Sequence, residues 1–180
     1  MNAVSAAMLE RRSIRSYQER QIAPEELRQI LEAALYAPRA RIRRTLAFSS
    51  SKSRRRWRRS TGLFSGSAMK SAILRARTHG YHFILGAPAL ISAVAPRRVE
   101  NSMAECAAAA ENMLLAASAP ELADCWSNQP HWLAGVPEVR VFFEAQGLRD
   151  EEDIFASVSI GCPAAKIPPP RKEGRVVCGL

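Results

Sequence analysis

The chain has 180 residues, of which 47% are hydrophobic and 24% charged, and this predicts a single domain, residues 1–180, with a buried core. It contains no run of about 18 apolar residues that could span a membrane, and we expect no signal peptide because the first residues lack its charged and apolar regions. The four cysteines are widely spaced without a C-x-x-C pair, which argues against a disulfide framework and a zinc site and favours a cytoplasmic protein with reduced, mostly buried thiols.

Positive charge is concentrated in one window of the sequence. The formal net charge is +9, but residues 39–77 hold 13 of the 26 Lys and Arg residues and none of the 17 acidic ones. The rest of the chain therefore carries 13 basic against 17 acidic residues. One window makes an otherwise mildly acidic chain basic, and it needs a separate explanation.

The N-terminal region predicts two helices with an arginine cluster between them. The first helix begins at Asn2 or Ser5 and ends before the cluster, which runs from Glu10 to Tyr17. The second spans residues 24–36, with Pro24 at its first position and Pro38 beyond its end. Five apolar residues recur along it at helical spacing and predict one buried stripe: Leu27, Ile30, Leu31, Ala34 and Leu35.

The arginine cluster itself is a candidate anion site. Arginine presents a planar fork of donors that fits phosphate oxygens, and serine adds a short donor. An extended backbone would send Arg11, Ser13 and Arg15 to one side and Arg12 and Ile14 to the other. The spacing alone favours a solvated basic turn over an anion site.

The rest of the chain alternates predicted strands and helices. Residues 39–60 form an atypical arginine-rich segment with no predicted element, and residues 60–77 show a weak helical pattern. Strands are predicted over 87–95, 123–127 and 154–160, a long central helix over 102–118 and a shorter helix over 137–146. Residues 164–180 predict an extended arm, whose three consecutive prolines precede Arg171 and Lys172.

Three segments together resemble the nitroreductase family of flavoproteins, particularly its short members. The first is Arg11-Arg12-Ser13-Ile14-Arg15-Ser16-Tyr17 with the helix end Leu31-Glu32-Ala33-Ala34-Leu35-Tyr36-Ala37-Pro38. The second is Glu105-Cys106-Ala107 through Asn112-Met113-Leu114-Leu115, then Cys125-Trp126-Ser127-Asn128-Gln129. The third is Ser157-Val158-Ser159-Ile160-Gly161-Cys162-Pro163 with Pro169-Pro170-Arg171-Lys172. Each is weak alone, but their order and spacing are fairly specific.

The resemblance implies an α+β fold, with a mostly antiparallel sheet flanked by helices in an intertwined homodimer that binds two FMN molecules at its interface. It implies that Arg11, Ser13 and Arg15 hold the FMN phosphate and ribityl chain, with Arg12 adjacent. Further implied contacts are Arg171 and Lys172 with the phosphate, Asn128 and Gln129 with the flavin ring near N5, and Gly161 with the ring through its backbone.

The implied chemistry is hydride transfer from NADH or NADPH to the flavin, followed by delivery to a nitroaromatic, quinone or similar acceptor in a ping-pong cycle. This chemistry needs no catalytic triad or carboxylate pair, and none is evident in the sequence. We expect Cys125 and Cys162 to be core residues, Trp126 to pack behind the flavin site and His131 to be a satisfied surface or interface residue.

The segment after Pro38 departs from the family. The family has small residues and Asn, then a Gln-x-Trp-like turn and a hydrophobic strand, where this chain has an arginine-rich run. With permitted codons, reading from the third base of the Arg41 codon gives Asn-Ser-Gln-Asn-Val-Gly-Ile-Phe-Val-Val-Gln, which is close to the family pattern. We interpret residues 39–60 as out of frame relative to the ancestral gene.

Two alternatives take this segment at face value. The protein could have the nitroreductase fold but have lost FMN binding or activity. Alternatively, the run Arg54–Arg59 with Trp57 could bind nucleic acid, since cations contact phosphates and Trp stacks on bases. The second alternative is disfavoured because two basic clusters suited to a flavin phosphate lie outside the run.

Overall fold

A computed structural model describes residues 1–39, 47–51, 84, 86–119, 122–165, 167–168 and 174, with only the backbone described for residues 47–51 and Glu138. Its helices are α1 (Ala3–Glu10), α2 (Pro24–Leu35), α3 (Ser102–Ser118), α4 (Gln129–Leu133) and α5 (Pro137–Glu144). Its strands are β1 (Ala47–Ser51), β2 (Ala89–Pro96), β3 (Ala123–Trp126) and β4 (Glu152–Gly161).

The first two helices begin where local capping predicts. The Asn2 side chain accepts a hydrogen bond from the Ser5 amide at 2.8 Å, and this satisfies one free amide of the first turn of α1. At the start of α2, Glu26 Oε2 accepts a hydrogen bond from the Ala23 amide at 2.7 Å. Both predicted helices are therefore confirmed.

One residue of the apolar stripe on α2 is placed differently from the prediction. Ile30 and Ala34 are fully buried, and Leu27 and Leu31 pack partly buried against the same core. Leu35 is 54% exposed. It is the last residue of the helix, so the buried stripe ends one position before it.

The described strands form one antiparallel sheet in the order β1-β2-β4-β3. Strands β2 and β4 pair from Ala89 opposite Ile160 to Pro96 opposite Glu152, with a register shift between Ala93 and Val94. Strand β3 pairs with the C-terminal half of β4, from Ala123 opposite Gly161 to Trp126 opposite Val158. The predicted strands are thus confirmed, and β4 is central.

Helices cover both faces of this sheet. Successive residues of a strand point to opposite faces, and on β4 the register shift with β2 reverses this alternation between Ile154 and Ala156. On one face Ile91, Val158 and Ile160 pack with residues of α2 and α3. On the other face Leu90, Val94 and Ile154 pack with residues of α4 and α5, including Leu133 and Phe143. The expectation of an α+β fold with a mostly antiparallel sheet agrees with this arrangement.

The structure differs from the sequence-based prediction of secondary structure at two places. The sequence predicts no folded element over residues 39–60, and this is wrong for residues 47–51, which pair with β2 from Ala47 opposite Val94 to Ser51 opposite Leu90. Helix α4 was not predicted, because five residues are too few for a helical period to be visible. The weak helical pattern over residues 60–77 lies outside the described residues.

Within the described residues, no helix is both long and apolar enough to cross a membrane.

Candidate functional site

The arginine cluster lies across the ends of two strands. The Ile14 amide donates to the Asp124 carbonyl of β3 at 2.9 Å, and the Gln18 amide donates to the Cys162 carbonyl after β4 at 2.9 Å. Ser13 forms a parallel bridge with Asp124, and Tyr17 an antiparallel bridge with Pro163. The backbone of the cluster is therefore fixed against the part of the sheet where β3 begins and β4 ends.

Arg11 forms an ion pair with a buried carboxylate. Its Nη1 atom lies 3.0 Å from Oδ1 of Asp124, and Asp124 is 1% exposed. Burial raises the pKa of Asp124 to about 6, while the charge and hydrogen bond of Arg11 and the hydrogen bond from Ser118 hold it below the value that burial alone would give. Arg11 therefore favours the ionised form of Asp124, which burial disfavours.

Arg12 closes the C-terminal end of α1. Its Nη2 atom donates to the Leu9 carbonyl at 2.8 Å, and its Nη1 atom donates to the Arg11 carbonyl. A cation at this end is favourable because the last carbonyls of a helix carry partial negative charge. The Arg12 Nε atom is buried and has no hydrogen-bond partner among the described residues.

Ser13 and Arg15 are associated with a different residue of β3. Burial raises the pKa of the Cys125 thiol, whereas the charge of Arg15 and hydrogen bonds from the Arg15 and Ser13 side chains lower it. Arg15 Nη1 also donates to the Ser13 carbonyl at 3.4 Å. Adjacent residues of a strand face opposite ways, so the partners of Arg11 and of Ser13 and Arg15 lie on opposite faces of β3.

A pocket of about 260 Å³ lies beside the ion pair. It is lined by residues of the arginine cluster, the ends of α1 and α3, the start of β3 and the C-terminal region: Ala7, Glu10, Arg11, Arg12, Ile14, Ser118, Leu122, Asp124, Pro163 and Ile167. The extended-backbone prediction put Arg11 with Ser13 and Arg15. The structure instead places Arg11 with Arg12 and Ile14, because Arg11 directly follows α1 and pairs with Asp124.

Asn128 and Gln129 lie where β3 ends and α4 begins. Asn128 Oδ1 accepts a hydrogen bond from Trp126 Nε1 at 3.2 Å, which orients the Asn128 amide. His131 Nδ1 lies 2.6 Å from the Ile154 carbonyl, so the prediction of a satisfied histidine is confirmed. Trp126 is partly exposed at this end of β3.

Gly161 is required by packing within the chain. A Cβ atom at this position would lie 2.4 Å from Cδ of Pro88 and 2.9 Å from Cδ1 of Tyr17. Tyr17 in turn donates from its hydroxyl to the Ser159 carbonyl at 3.4 Å, and burial raises its pKa. The side of Gly161 expected to admit a flavin ring is therefore occupied by Pro88 and Tyr17, and a backbone contact of Gly161 with the ring stays a prediction.

The structure describes the two predicted core cysteines but not the two basic residues predicted in the C-terminal arm. Cys125 and Cys162 are free and buried, which confirms them as core residues. Arg171 and Lys172 lie outside the described residues. In the part of the chain that the structure describes, no group of three or more His, Cys, Asp and Glu side chains could hold a metal ion.

Asp124 is a site residue that the sequence pattern does not single out as a ligand. It lies within the predicted strand over 123–127, where it is the single charged residue among apolar neighbours. A charged residue in a buried strand needs a cation to pair with, and this requirement is the signal that could have identified it.

Comparisons with known proteins agree with this architecture. The model of the nitroreductase family matches residues 8–162. A nitroreductase with bound FMN from Bacteroides fragilis is 27% identical, with complete coverage of both chains (100% and 100%) and a TM-score of 0.92. A nitroreductase with bound FMN from Desulfitobacterium hafniense is 21% identical, with 96% of this chain and 95% of that chain covered and a TM-score of 0.82.

An FMN-dependent nitroreductase from Clostridium difficile is 14% identical, with 99% of each chain covered and a TM-score of 0.82, and at this identity it supports the fold alone. No curated protein matches the chain. The family match extends over most of the sequence and includes the arginine cluster, β3 and β4. The chain belongs to the nitroreductase family.

Proposed function

We propose that the protein is a homodimeric FMN-dependent oxidoreductase that takes hydride from NADH or NADPH and passes it to a nitroaromatic, quinone or similar acceptor by a ping-pong mechanism. The observation that carries this proposal is the pair of guanidinium groups, Arg11 and Arg12, on a pocket of about 260 Å³ beside the docked arginine cluster. The similar Bacteroides fragilis nitroreductase contains bound FMN.

The residues present fit a phosphate group. The buried Nε atom of Arg12 is an N–H donor without a partner among the described residues, and such a donor is costly unless an acceptor reaches it. Arg11 adds a second cation on the same pocket, and Ser13 and Arg15 follow in the same segment. We propose that these four residues hold the FMN phosphate and ribityl chain, with Arg171 and Lys172 as further cations.

The chain's own contribution to the reaction is orientation. FMN, when bound, supplies the hydride acceptance and donation. We propose that Asn128 and Gln129 border the ring, with Asn128 held in orientation by its bond from Trp126. The strands behind this end are held together by two buried hydroxyl pairs, Ser127 with Ser159 at 2.6 Å and Ser92 with Ser157 at 2.9 Å.

The absorption spectrum of the purified protein tests the cofactor assignment. We expect a flavin band near ~450 nm, either as purified or after addition of FMN and removal of the excess. The band should bleach with NADH or NADPH in the absence of oxygen and return when a nitroaromatic or quinone is added. A colourless protein that does not retain added FMN would contradict the proposal and favour the alternative of a fold that has lost its cofactor.

Exposed apolar residues on α1 support the proposed homodimer. Val4, Met8 and Leu9 are all exposed in the single chain, which is costly for a helix that remains in water. We expect sedimentation equilibrium to give twice the chain mass of 19.8 kDa. A monomer at micromolar concentration that still binds FMN would contradict the dimer and leave the cofactor assignment standing.

We also propose the cytoplasm as the compartment of the protein. The described cysteines Cys106, Cys125 and Cys162 are free thiols in buried positions. Unpaired cysteines are typical of a reducing compartment.

A further inference from the structure

The ion pair of Arg11 and Asp124 places a buried negative charge directly behind a proposed phosphate ligand. Asp124 is 1% exposed and shares Arg11 as its cation, at 3.0 Å, and both residues line the same pocket. A phosphate that approaches Arg11 therefore also approaches the carboxylate of Asp124. Two anions that share one guanidinium repel each other, and the burial of Asp124 weakens the screening of this repulsion.

The hydrogen bonds of Ser118 are compatible with both charge states of Asp124. Ser118 Oγ lies 3.0 Å from the Leu114 carbonyl and 3.3 Å from Oδ2 of Asp124. The hydroxyl has one hydrogen, so it cannot donate to both acceptors at once. If Asp124 carries a proton on Oδ2, it donates to Ser118 Oγ, and the Ser118 hydrogen is then available to the Leu114 carbonyl. Ser118 can therefore donate to an ionised Asp124 or accept from a protonated one, so a change of charge on Asp124 leaves neither group unpaired.

We propose that Asp124 is the counter-ion of Arg11 in the ligand-free protein and takes up one proton from solvent when the phosphate of FMN binds. This inference rests on the FMN site proposed above. In the ligand-free protein the carboxylate neutralises Arg11 and fixes its position. In the bound protein the phosphate takes over Arg11, and the proton on Asp124 removes the repulsion between the two anions.

Other ionisable groups surround Asp124 and must be separated from it in any pH dependence. The charge of Arg11 lowers the pKa of Asp124 and the charge of Glu111 raises it, while Asp124 in turn raises the pKa of Tyr17 and of Cys125. The groups around it, from the arginine cluster, α1, α3 and β3, are Glu10, Arg11, Arg12, Arg15, Tyr17, Glu111 and Cys125. Among these described groups, Asp124 alone combines burial with an ion pair to Arg11, so its replacement isolates the proposed effect.

The substitution Asp124→Asn tests the proposal because asparagine keeps the shape and mimics the neutral acid. Binding of FMN is followed by quenching of flavin fluorescence at pH 5.5 and pH 8. We expect the variant to bind FMN about tenfold more tightly than the wild type at pH 8 and within about twofold at pH 5.5. The titration of the FMN phosphate itself affects both proteins equally and therefore cancels in this comparison.

Two controls make the result specific. Riboflavin lacks the phosphate, so its affinity should differ by less than about twofold between the two proteins at both pH values. Glu111→Gln removes the same charge from an exposed position of α3, and we expect it to change FMN affinity by less than about twofold. An equal gain from Glu111→Gln would show a general charge effect and overturn the assignment to Asp124.

Calorimetry of the wild type alone provides a second measurement that does not depend on a variant folding. At pH 7, the enthalpy of FMN binding in buffers of different ionisation enthalpy should show net proton uptake. Absence of uptake, or an Asp124→Asn variant that binds FMN no more tightly than the wild type at pH 8, overturns the inference. If the wild type binds no FMN at any pH, the proposed function fails instead, so the two failures are distinguishable.

Discussion

A buried carboxylate such as Asp124 is stable in its charged form only while a cation stays beside it. Its pKa of about 6 lies above the ordinary value for aspartate because burial outweighs the attraction of Arg11. The folded state therefore binds this proton more tightly than the unfolded state does. Consequently the contribution of Asp124 to the free energy of unfolding decreases as pH rises from about 4 through its folded pKa.

We predict that Arg11→Met destabilises the protein in a pH-dependent way. At pH 8 the variant would bury an unpaired carboxylate, at a cost of about 3 kcal/mol, whereas at pH 5 the carboxyl is neutral and the loss should be less than half of this. Urea unfolding at the two pH values measures the difference. Arg28→Met, at an exposed ion pair on α2, is the control and should cause a smaller loss. Equal losses for Arg11→Met at both pH values would contradict the prediction.

Gly161 gives a second prediction at the scale of a single residue. An added methyl group would lie within 3 Å of the Pro88 ring and the Tyr17 ring. Tyr17 is held by its bridge to Pro163, and Pro88 directly precedes β2. We expect Gly161→Ala to lower the free energy of unfolding by about 2 kcal/mol. Gly135→Ala, where nothing lies within 4 Å of the added Cβ, should be nearly neutral in the same thermal or urea unfolding experiment. If Gly161→Ala leaves the free energy of unfolding unchanged, the Pro88 and Tyr17 rings can move aside at little cost, and the prediction is wrong.

At the scale of the element, residues of the apolar stripe on α2 differ in how deeply they are buried. Ile30 is fully buried in the core shared with α3, while Leu35 at the helix end is mostly exposed. We predict that Ile30→Ala costs about 3 kcal/mol because it removes buried methylenes and leaves a cavity. Leu35→Ala should cost less than about 1 kcal/mol in the monomer. Similar losses from the two variants, measured by urea unfolding, would show that Leu35 is covered in solution.

Elements with a strong local pattern were predictable from the sequence. Helix α3 was predicted with the bounds that the structure gives, and β2 and β4 within two residues, because their apolar patterns and flanking turn residues are local signals. Leu35 was predicted wrongly because local spacing does not show where the partner surface ends. Strand β1 was missed because its pairing with β2 comes from tertiary structure, and its flanking arginines indicated no burial.

The candidate site was predictable only in part, for a similar reason. The arginine cluster was visible as a dense set of phosphate donors in a short segment. Its division into Arg11, paired with Asp124, and Arg15, beside Cys125, depends on residues more than 100 positions away in the sequence. No local pattern contains that information. The family resemblance supplied the location of the site but not the buried carboxylate behind it.

At the scale of the whole molecule, the basic window needs an origin. Residues 39–77 carry half of the Lys and Arg residues of the chain, and part of this window forms strand β1. We predict that the gene has codons from Arg41 to Lys52 that also encode the family-like loop and strand in the alternative frame. Sequencing the gene tests this directly. Codons in that region that cannot encode the alternative reading frame would rule out the frame-shift hypothesis.

The segment Arg54–Arg59 lies outside the described residues, so its proposed contact with nucleic acid stays an open alternative. Gel-shift titrations in steps of ~100 mM salt separate it from the flavin assignment, because binding through phosphate contacts falls steeply with salt.

The position of the arginine cluster on the sheet also has a consequence for the order of folding. Arg11 meets Asp124 across 113 residues of chain, and Gln18 meets Pro163 across 145. Such distant contacts carry a loop-closure cost, so we expect them to form after β3 and β4 have paired. The cofactor pocket is therefore expected to be among the last parts of the molecule to assemble. FMN should then slow unfolding much more than it speeds folding.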